Sequence, residues 1–418
     1  MLDLIHKAKL PYSEDLSPLR QAFTLGGRRI ANRVLYQPME GCDGTPEGSP
    51  GELTRRRYQR FARGGAGVIW AEATAVVEEG RASPRQLWLH ENNLGEFQAM
   101  AEEIKRLCYE AHGFEPLVLL QLTHSGRYSR PHGPPAPRIA YNSPVFEKDS
   151  PLPGDCIVTD DELRRLEEQF GQAARLAEQA GFDGVDVKAC HRYLLSELLS
   201  AHTRAGDYGG SFENRTRMLR NCVAAARAGT GFIITTRMNG YDGFAWPYGF
   251  GVREGDLRPD YTEALELVGL LGMEMINITI GNPYVNPNVN RPADTPLNHS
   301  IEPPMEGVAR ILNSAVVIQR AYPGIAVVSS GLSYLRQHSA NVAAGMLAAG
   351  QCAFAGFGRL SFAYPGLAAD IMHGGLSAKE CCIACAKCSE LMRVGSTAGC
   401  VVRDPAYAKI YREVVQGL

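Results

Sequence analysis

Residues 159–187, TDDELRRLEEQFGQAARLAEQAGFDGVDV, read as one complete unit of a repeating architecture. Thr159 and Asp160 are helix-capping residues, 161–179 is helical, Gly181 stops the helix, and the short apolar run 184–187 is a buried strand. The same alternation extends in both directions. Upstream, RVLYQP (33–38) is a strand leading into the Gly-rich loop GCDGTPEGS. LTRRRYQRFARGG (53–65) is then a helix stopped by Gly64 and Gly65, and AGVIWAEA (66–73) is a buried strand. Helix 95–111 leads to strand 116–121, helix 213–228 to strand 232–237, and helix 260–271 to strand 275–280. Helix 303–320 leads to strand 325–329, and helix 336–349 to strand 352–356. Short apolar strands separated by helices belong to a parallel sheet covered on both faces. Eight of them predict an α/β protein with a (β/α)8 TIM barrel, a doubly wound sheet being the alternative. The barrel is expected over residues 1–370 and a short cysteine-rich segment ending in a helix over 371–418.

The 418 residues, 45% apolar and 21% charged, have the composition of a soluble globular chain. With 43 basic residues against 45 acidic ones, there is no general attraction to nucleic acid or membrane. The opening MLDLIHKAKLPYSEDLSPLRQAF lacks the apolar core of a secretory signal, and no stretch approaches 18 uninterrupted apolar residues. A cytoplasmic, non-spanning protein is expected.

Of the eleven cysteines, Cys381, Cys382, Cys385, Cys388 and Cys400 fall within twenty residues. In a reducing compartment such a group asks for a metal rather than disulfides. Cys382, Cys385 and Cys388 form C-x2-C-x2-C, with Cys400 as a distant fourth ligand. Zinc usually takes two separated pairs, so this spacing favours a [4Fe-4S] cluster over zinc. Cys381 is left as a bystander. Four thiolates leave no open coordination position, so the expected work of the centre is moving single electrons.

The segments that follow the strands carry the other candidates: QLTHSGR (121–127), DVKACHRYLLSELLS (186–200), AHTRAGDYGGSFENR (201–215) and TTRMNGYDG (235–243). A barrel gathers its active site at these carboxyl-terminal strand ends. Two long loops, 122–158 with seven prolines and 281–302 with Tyr284 and His299, are expected to shape a pocket.

Over essentially its whole length the chain resembles the flavin-dependent old yellow enzymes (NADH:flavin oxidoreductases). It is most similar to their iron-sulfur branch, which includes 2,4-dienoyl-CoA reductase and trimethylamine dehydrogenase. The matching stretches are NRVLYQPM (32–39), RFARGGAGVIWAEATAVVEEGR (60–81), QLTHSGRYS (121–129), GFDGVDV followed by YLLSELLS, DYGGSFENR (207–215), TTR (235–237), SSGLS (329–333) and GFGR (356–359). The resemblance implies bound FMN. Pro38 and Met39 would lie beside the isoalloxazine, with Ala73 against its pyrimidine side. Gln121 would bond the pyrimidine edge, and Arg237 would face the position that gains negative charge on reduction. Gly331, Gly356, Gly358 and Arg359 would hold the phosphate. Tyr193 matches the tyrosine that protonates the substrate carbon, and Lys188 and His191 occupy the positions of the pair that grips its carbonyl.

An ene-reductase acting on an enoate, enone or enoyl thioester is therefore the expected activity. The alternatives are a dehydrogenase or demethylase that oxidises a small substrate, and a non-catalytic electron-transfer subunit. The chain also departs from the family pattern. Lys188 replaces the usual histidine, Arg192 replaces a glycine, and Glu40 follows Met39 where Thr, Cys or His is common. Lys188 suits a carboxylate or a strongly polarised carbonyl. Larger relatives carry FAD and NAD(P)H domains, whereas no G-x-G-x-x-G occurs in this tail. A ferredoxin, a reductase or an electron-transfer flavoprotein is thus the expected donor through the cluster, with direct docking of NAD(P)H over FMN as the alternative.

Overall fold

A computed structural model describes residues 1–292 and 302–417. Eight strands close into a parallel barrel in sequence order: β3 (Val34–Tyr36), β4 (Val68–Ala75), β5 (Leu117–Thr123), β6 (Gly184–Val187), β7 (Ile233–Tyr241), β8 (Met275–Ile280), β9 (Ala326–Ser329) and β10 (Phe354–Phe357). β10 pairs with both β9 and β3, so the sheet has no free edge and is the expected TIM barrel.

Alternation along the strands sorts the side chains. Val118, Leu120, Val185, Val187, Ile276 and Ile278 pack outward under the helices. Leu35, Val68, Trp70, Leu117, Leu119, Met275, Val328 and Phe354 form a separate apolar cluster. It fills the amino-terminal half of the barrel interior. The next inward positions are polar: Gln121, Asp186, Arg237 and Asn277. Trp70 marks the boundary, its Nε1 donating to Asp186 Oδ2 at 3.0 Å.

The helices sit close to their expected positions. Thr159 is the N-cap of helix Asp160–Gln179 and forms a reciprocal capping box with Glu162. Helix Ser339–Ala348 starts later than expected, because a 3₁₀ stretch over Leu332–His338 precedes it. Two small strands were not anticipated, β1 (Phe23–Leu25) and β2 (Arg28–Ile30). Their Leu25 and Ile30 join the barrel-interior cluster, and the hairpin closes the amino-terminal end. The cysteine-rich tract also contains an unanticipated helix, Lys387–Arg393. Among the described residues no helix is long and apolar enough to cross a membrane.

The carboxyl-terminal segment is tied to the barrel by a buried polar knot. A bulge in β4 between Ala71 and Ala73 accompanies Glu72, which pairs with Arg57 of helix Glu52–Arg63. Arg57 also forks onto Asp43, at 2.6 Å from Nη1 and 3.0 Å from Nη2. Gly41 N donates to Glu72 Oε2 at 2.7 Å, and Gly41 O accepts from Ala398 N at 2.6 Å and Thr397 Oγ1 at 2.8 Å. Arg56 and Arg60 both pair with Asp404. The loop after β3 is thereby fixed from one side by the barrel and from the other by the cysteine-rich segment.

Removing Arg57 strands two buried carboxylates, for which the expected cost is about 3–5 kcal/mol. Urea unfolding of Arg57→Met should show that loss against the parent, and a change below about 1 kcal/mol would exclude the knot as a major contributor.

Candidate functional site

The inward alternation that fills the barrel with apolar side chains delivers polar ones at its carboxyl-terminal mouth. There a cavity is lined by Pro38 and Met39 after β3, Gln121 on β5, Lys188, His191 and Tyr193 after β6, and Arg237 on β7. Gly331, Gly356, Gly358 and Arg359, from the ends of β9 and β10, line it as well. Thus eleven positions, many of them far apart in the chain, converge on one cavity. Ala73 does not line it. This residue is buried on β4 opposite Gln121 in the ladder, and its carbonyl accepts from Gln86 Nε2 at 3.2 Å. His124 is also turned elsewhere, its Nδ1 accepting from Gly126 N at 3.0 Å. His299 lies outside the described residues.

Asp186 organises the floor. It is fully buried and accepts from Gln121 Nε2 at 2.6 Å, Arg237 N at 2.6 Å and Trp70 Nε1 at 3.0 Å. Burial pushes its carboxyl up to about 6, and these donors together with the Arg237 charge work against that rise. With one amide hydrogen engaged by Asp186, Gln121 keeps its carbonyl oxygen and second hydrogen for an occupant of the cavity.

Arg237 carries the sharpest test of a flavin. Its guanidinium lines the cavity, and its buried Nε has no hydrogen-bond partner among the described residues. A cation held this way is costly unless an anion meets it. Among the described residues the cavity wall holds Lys188, Arg237, Arg291 and Arg359 against Glu40 as its one carboxylate, which favours an anionic occupant. The glycines let neighbouring segments of the chain pack closely at this end of the barrel. A Cβ on Gly356 would lie 2.0 Å from Gln37 Nε2, one on Gly358 would lie 3.1 Å from Met39 Sδ, and Gly331 has φ +93°. These features suit the phosphate and isoalloxazine of FMN.

At the substrate side, Tyr193 Oη lies 3.4 Å from Glu40 Oε2 and 3.1 Å from Tyr284 Oη. Lys188 Nζ caps the Tyr193 ring, 3.5 Å from its centroid. Burial raises the Glu40 carboxyl and the Tyr193 phenol and lowers the Lys188 ammonium, with Lys188 partly countering the rise at Glu40. Burial likewise drives His191 well below its ordinary value, leaving a neutral ring whose Nε2 is 3.4 Å from Thr279 Oγ1.

Arg192, which stands in the place of a glycine, is accommodated by its side chain leaving the cavity. His191 and Arg192 have φ of +61° and +65°. The Arg192 guanidinium then bonds Asp242 Oδ2, Ser200 Oγ, Tyr141 Oη and the Tyr248 carbonyl. Sequence reading missed Arg291. Its Nη1 donates to Ser389 Oγ at 2.6 Å, joining the loop after β8 to the cysteine-rich helix.

Cys382, Cys385, Cys388 and Cys400 line a second, smaller cavity, and Cys381 does not. The Sγ atoms of Cys382 and Cys400 accept from Ala384 N and Arg403 N, each at 3.4 Å. Among the described residues no three His, Cys, Asp or Glu side chains converge as ligands of a single metal ion. Arg359, Phe362 and Cys388 line both cavities and form the wall between them.

Residues 18–246 match the model of the NADH:flavin oxidoreductase / NADH oxidase family. The chain is 31% identical over 210 residues to an NADPH dehydrogenase of Clostridium acetobutylicum, a match covering 50% of this chain and 59% of that one. Among solved structures, a complex of 2-naphthoyl-CoA reductase with 2-naphthoyl-CoA superposes with a TM-score of 0.77 at 20% identity, covering 95% of this chain and 58% of that one. Histamine dehydrogenase from Rhizobium sp. 4-9 gives 0.71 at 20% identity, covering 94% and 53%. At that identity the two structures share the fold. The chain thus spans less than two thirds of each of these three proteins.

If Arg359 meets the flavin phosphate, Arg359→Met should weaken FMN by about 10- to 100-fold, the worth of a charge-assisted hydrogen bond, and leave riboflavin nearly unaffected. Fluorescence quenching on the flavin-free protein measures both, and equal losses for the two ligands would exclude a phosphate contact.

Proposed function

The chain belongs to the NADH:flavin oxidoreductase / NADH oxidase family, and from that premise we propose a flavin-dependent ene-reductase acting on the C=C bond of an enoate, enone or enoyl thioester. The observation that carries the reading is that Tyr193 and Lys188 share one cavity with Gln121, Arg237 and the glycines of β9 and β10. Bound there, reduced FMN would supply hydride to the β-carbon of an alkene conjugated to a carbonyl.

The chain's own residues do the rest. Gln121, oriented by Asp186, and Arg237 hold the flavin head, with Arg237 balancing the negative charge of the reduced form. Lys188 and neutral His191 draw electron density toward the substrate carbonyl. Tyr193 gives its phenolic proton to the α-carbon. A phenol stays protonated at neutral pH, and burial strengthens that tendency here. The long reach of Lys188 and the cationic wall favour a substrate bearing a carboxylate or a polarised carbonyl. An amine oxidase would gain from Tyr128, Tyr193 and Tyr284, which lie together. Yet the Lys188 ammonium already caps the Tyr193 ring and would repel a cationic substrate.

Cys382, Cys385, Cys388 and Cys400 are the proposed ligands of a [4Fe-4S] cluster, which would supply single electrons. Cys388 and Phe362 stand between that cavity and the flavin cavity, giving a short route inward. A ferredoxin, reductase or electron-transfer flavoprotein would deliver electrons to the outer side, and NAD(P)H remains the alternative donor.

Two experiments test these assignments. With chemically reduced FMN on the protein, Tyr193→Phe should retain the flavin but slow its reoxidation by an accepted alkene by roughly 10²- to 10⁴-fold. An unchanged rate with every accepted alkene would remove Tyr193 from the chemistry. After anaerobic purification, Cys385→Ser should lose most of the iron and acid-labile sulfide, and Cys381→Ser should keep them. Equal loss in both variants would mean that the ligand set is wrong.

A further inference from the structure

Of the cations that line the cavity, all but one have a counter-charge, present or proposed. Arg237 lies close to Asp186, whose carboxylate favours its charged form. Lys188 and Glu40 each favour the charged form of the other. Arg359 is the proposed phosphate ligand. Arg291 differs, because both its bonds go to neutral oxygens: Nη1 donates to Ser389 Oγ at 2.6 Å and Nη2 to the Pro283 carbonyl at 2.7 Å. Its Nε is buried and has no hydrogen-bond partner among the described residues. One hydrogen on Nε and one on each Nη are therefore left for a ligand.

The position of Arg291 is built into the loop after β8. Asn282, fully buried at the end of that strand, accepts through Oδ1 from Tyr284 N at 2.8 Å and Val285 N at 3.2 Å, and its own N donates to Asn286 Oδ1 at 2.7 Å. Asn286 Nδ2 holds the Asp242 carbonyl at 3.1 Å. The short helix Pro287–Asn290 follows, and Arg291 N closes it on the Pro287 carbonyl at 2.7 Å. The guanidinium lines the flavin cavity and not the cavity of the four cysteines. Its charge bears on His191, and Tyr284 is among its neighbours, so it stands on the substrate side. Burial, followed by the Arg359 charge, lowers it to about 10, with Cys388 working the other way, and it stays charged at neutral pH.

We propose that Arg291 anchors a carboxylate of the substrate remote from the reacting bond, which makes the substrate an α,β-unsaturated carbonyl compound with a second, acidic end. The inference rests on the reading of the cavity as an ene-reductase site. Lys188 and His191 hold the carbonyl that activates the alkene, and Arg291 receives the acidic end through its free N–H groups. A neutral substrate of the same shape leaves this partly buried cation unmatched, so the residue selects by charge as well as by reach.

The test uses protein loaded with FMN and two pairs of ligands, the monomethyl and dimethyl esters of fumarate and of trans,trans-muconate. Within a pair the alkene is the same and one charge differs; between pairs the distance to the acidic end differs. Dissociation constants for the oxidised protein, which turns over none of them, follow from the change in flavin absorbance. The parent should bind the monoester of at least one pair about 10- to 100-fold more tightly than its diester. Arg291→Gln keeps a donor for Ser389 and removes the charge, so it should lose that preference while binding the diesters almost as the parent does. Arg291→Lys should retain part of it. A parent-like preference in Arg291→Gln, or equal losses for both members of each pair, would overturn the anchor. Weaker FMN with riboflavin unaffected in Arg291→Gln would assign the residue to the phosphate and overturn it as well. A parent that prefers neither ester, yet whose chemically reduced flavin is reoxidised by the diesters, would overturn the anchor and leave the ene-reductase reading standing. Reoxidation by none of the esters would overturn both together.

Discussion

The buried ion pairing of Arg57 with Asp43 and Glu72 is the constraint on which the rest of the molecule depends. Three charges are removed from water at one place, and they belong to a helix, a loop and a strand that Thr54 and Tyr58 of the same helix also tie together. Burial pushes the Asp43 carboxyl up, but Arg57 more than offsets it and holds the group below its ordinary value. Such a knot is a poor source of net stability, because its desolvation is expensive. What it supplies is position. The loop between β3 and its helix carries Met39 and Glu40, and Gly41 and Asp43 of that loop are gripped by Thr397, Ala398 and Tyr407 from the cysteine-rich segment. The floor of one cavity and the wall of the other are set by the same few bonds.

Above that anchor, strand alternation performs a division of labour. Inward positions below Trp70 are apolar and pack shut, and those above it are polar and converge. The cavity wall above that layer is electrostatically unbalanced, with Lys188, Arg237, Arg291 and Arg359 against Glu40 on the wall and Asp186 beneath it. Left to itself such a layer would be unfavourable, and an anion with a flat ring system bound there would resolve it. The same excess of positive charge bears on substrate choice, because Lys188 remains after Arg237 and Arg359 have been assigned to the flavin.

Much of this was readable from sequence for a plain reason. Barrel strands buried on both faces leave uninterrupted apolar runs such as MINITI (275–280), and their helices carry capping residues such as Thr159 and terminal glycines. Residues at strand ends, including Gln121, Tyr193 and Arg237, could be located because their strands could be. The misses have physical causes of the same kind. The β1–β2 hairpin is only three residues per strand and includes Arg28 and Arg29, so it shows no apolar run. Arg291 reaches the cavity from an irregular loop, and only tertiary structure brings it to Ser389. The bulge at Glu72 resets the register of β4, so that Ala73 pairs with Gln121 and shares its side of the sheet. A bulge of one residue is invisible to alternation counted along the chain.

The central claim is that a flavin in the barrel mouth and a cysteine-bound cluster form one redox unit across the wall made by Arg359, Phe362 and Cys388. Counting electrons tests it most directly. Anaerobic reductive titration of the protein as isolated, followed by flavin absorbance and by electron paramagnetic resonance, should consume about three electrons per chain, two at the flavin and one at the cluster. The last should appear with the signal of a reduced iron-sulfur centre. Uptake of only about two electrons by a flavin-loaded protein, with no iron-sulfur signal, would contradict the account.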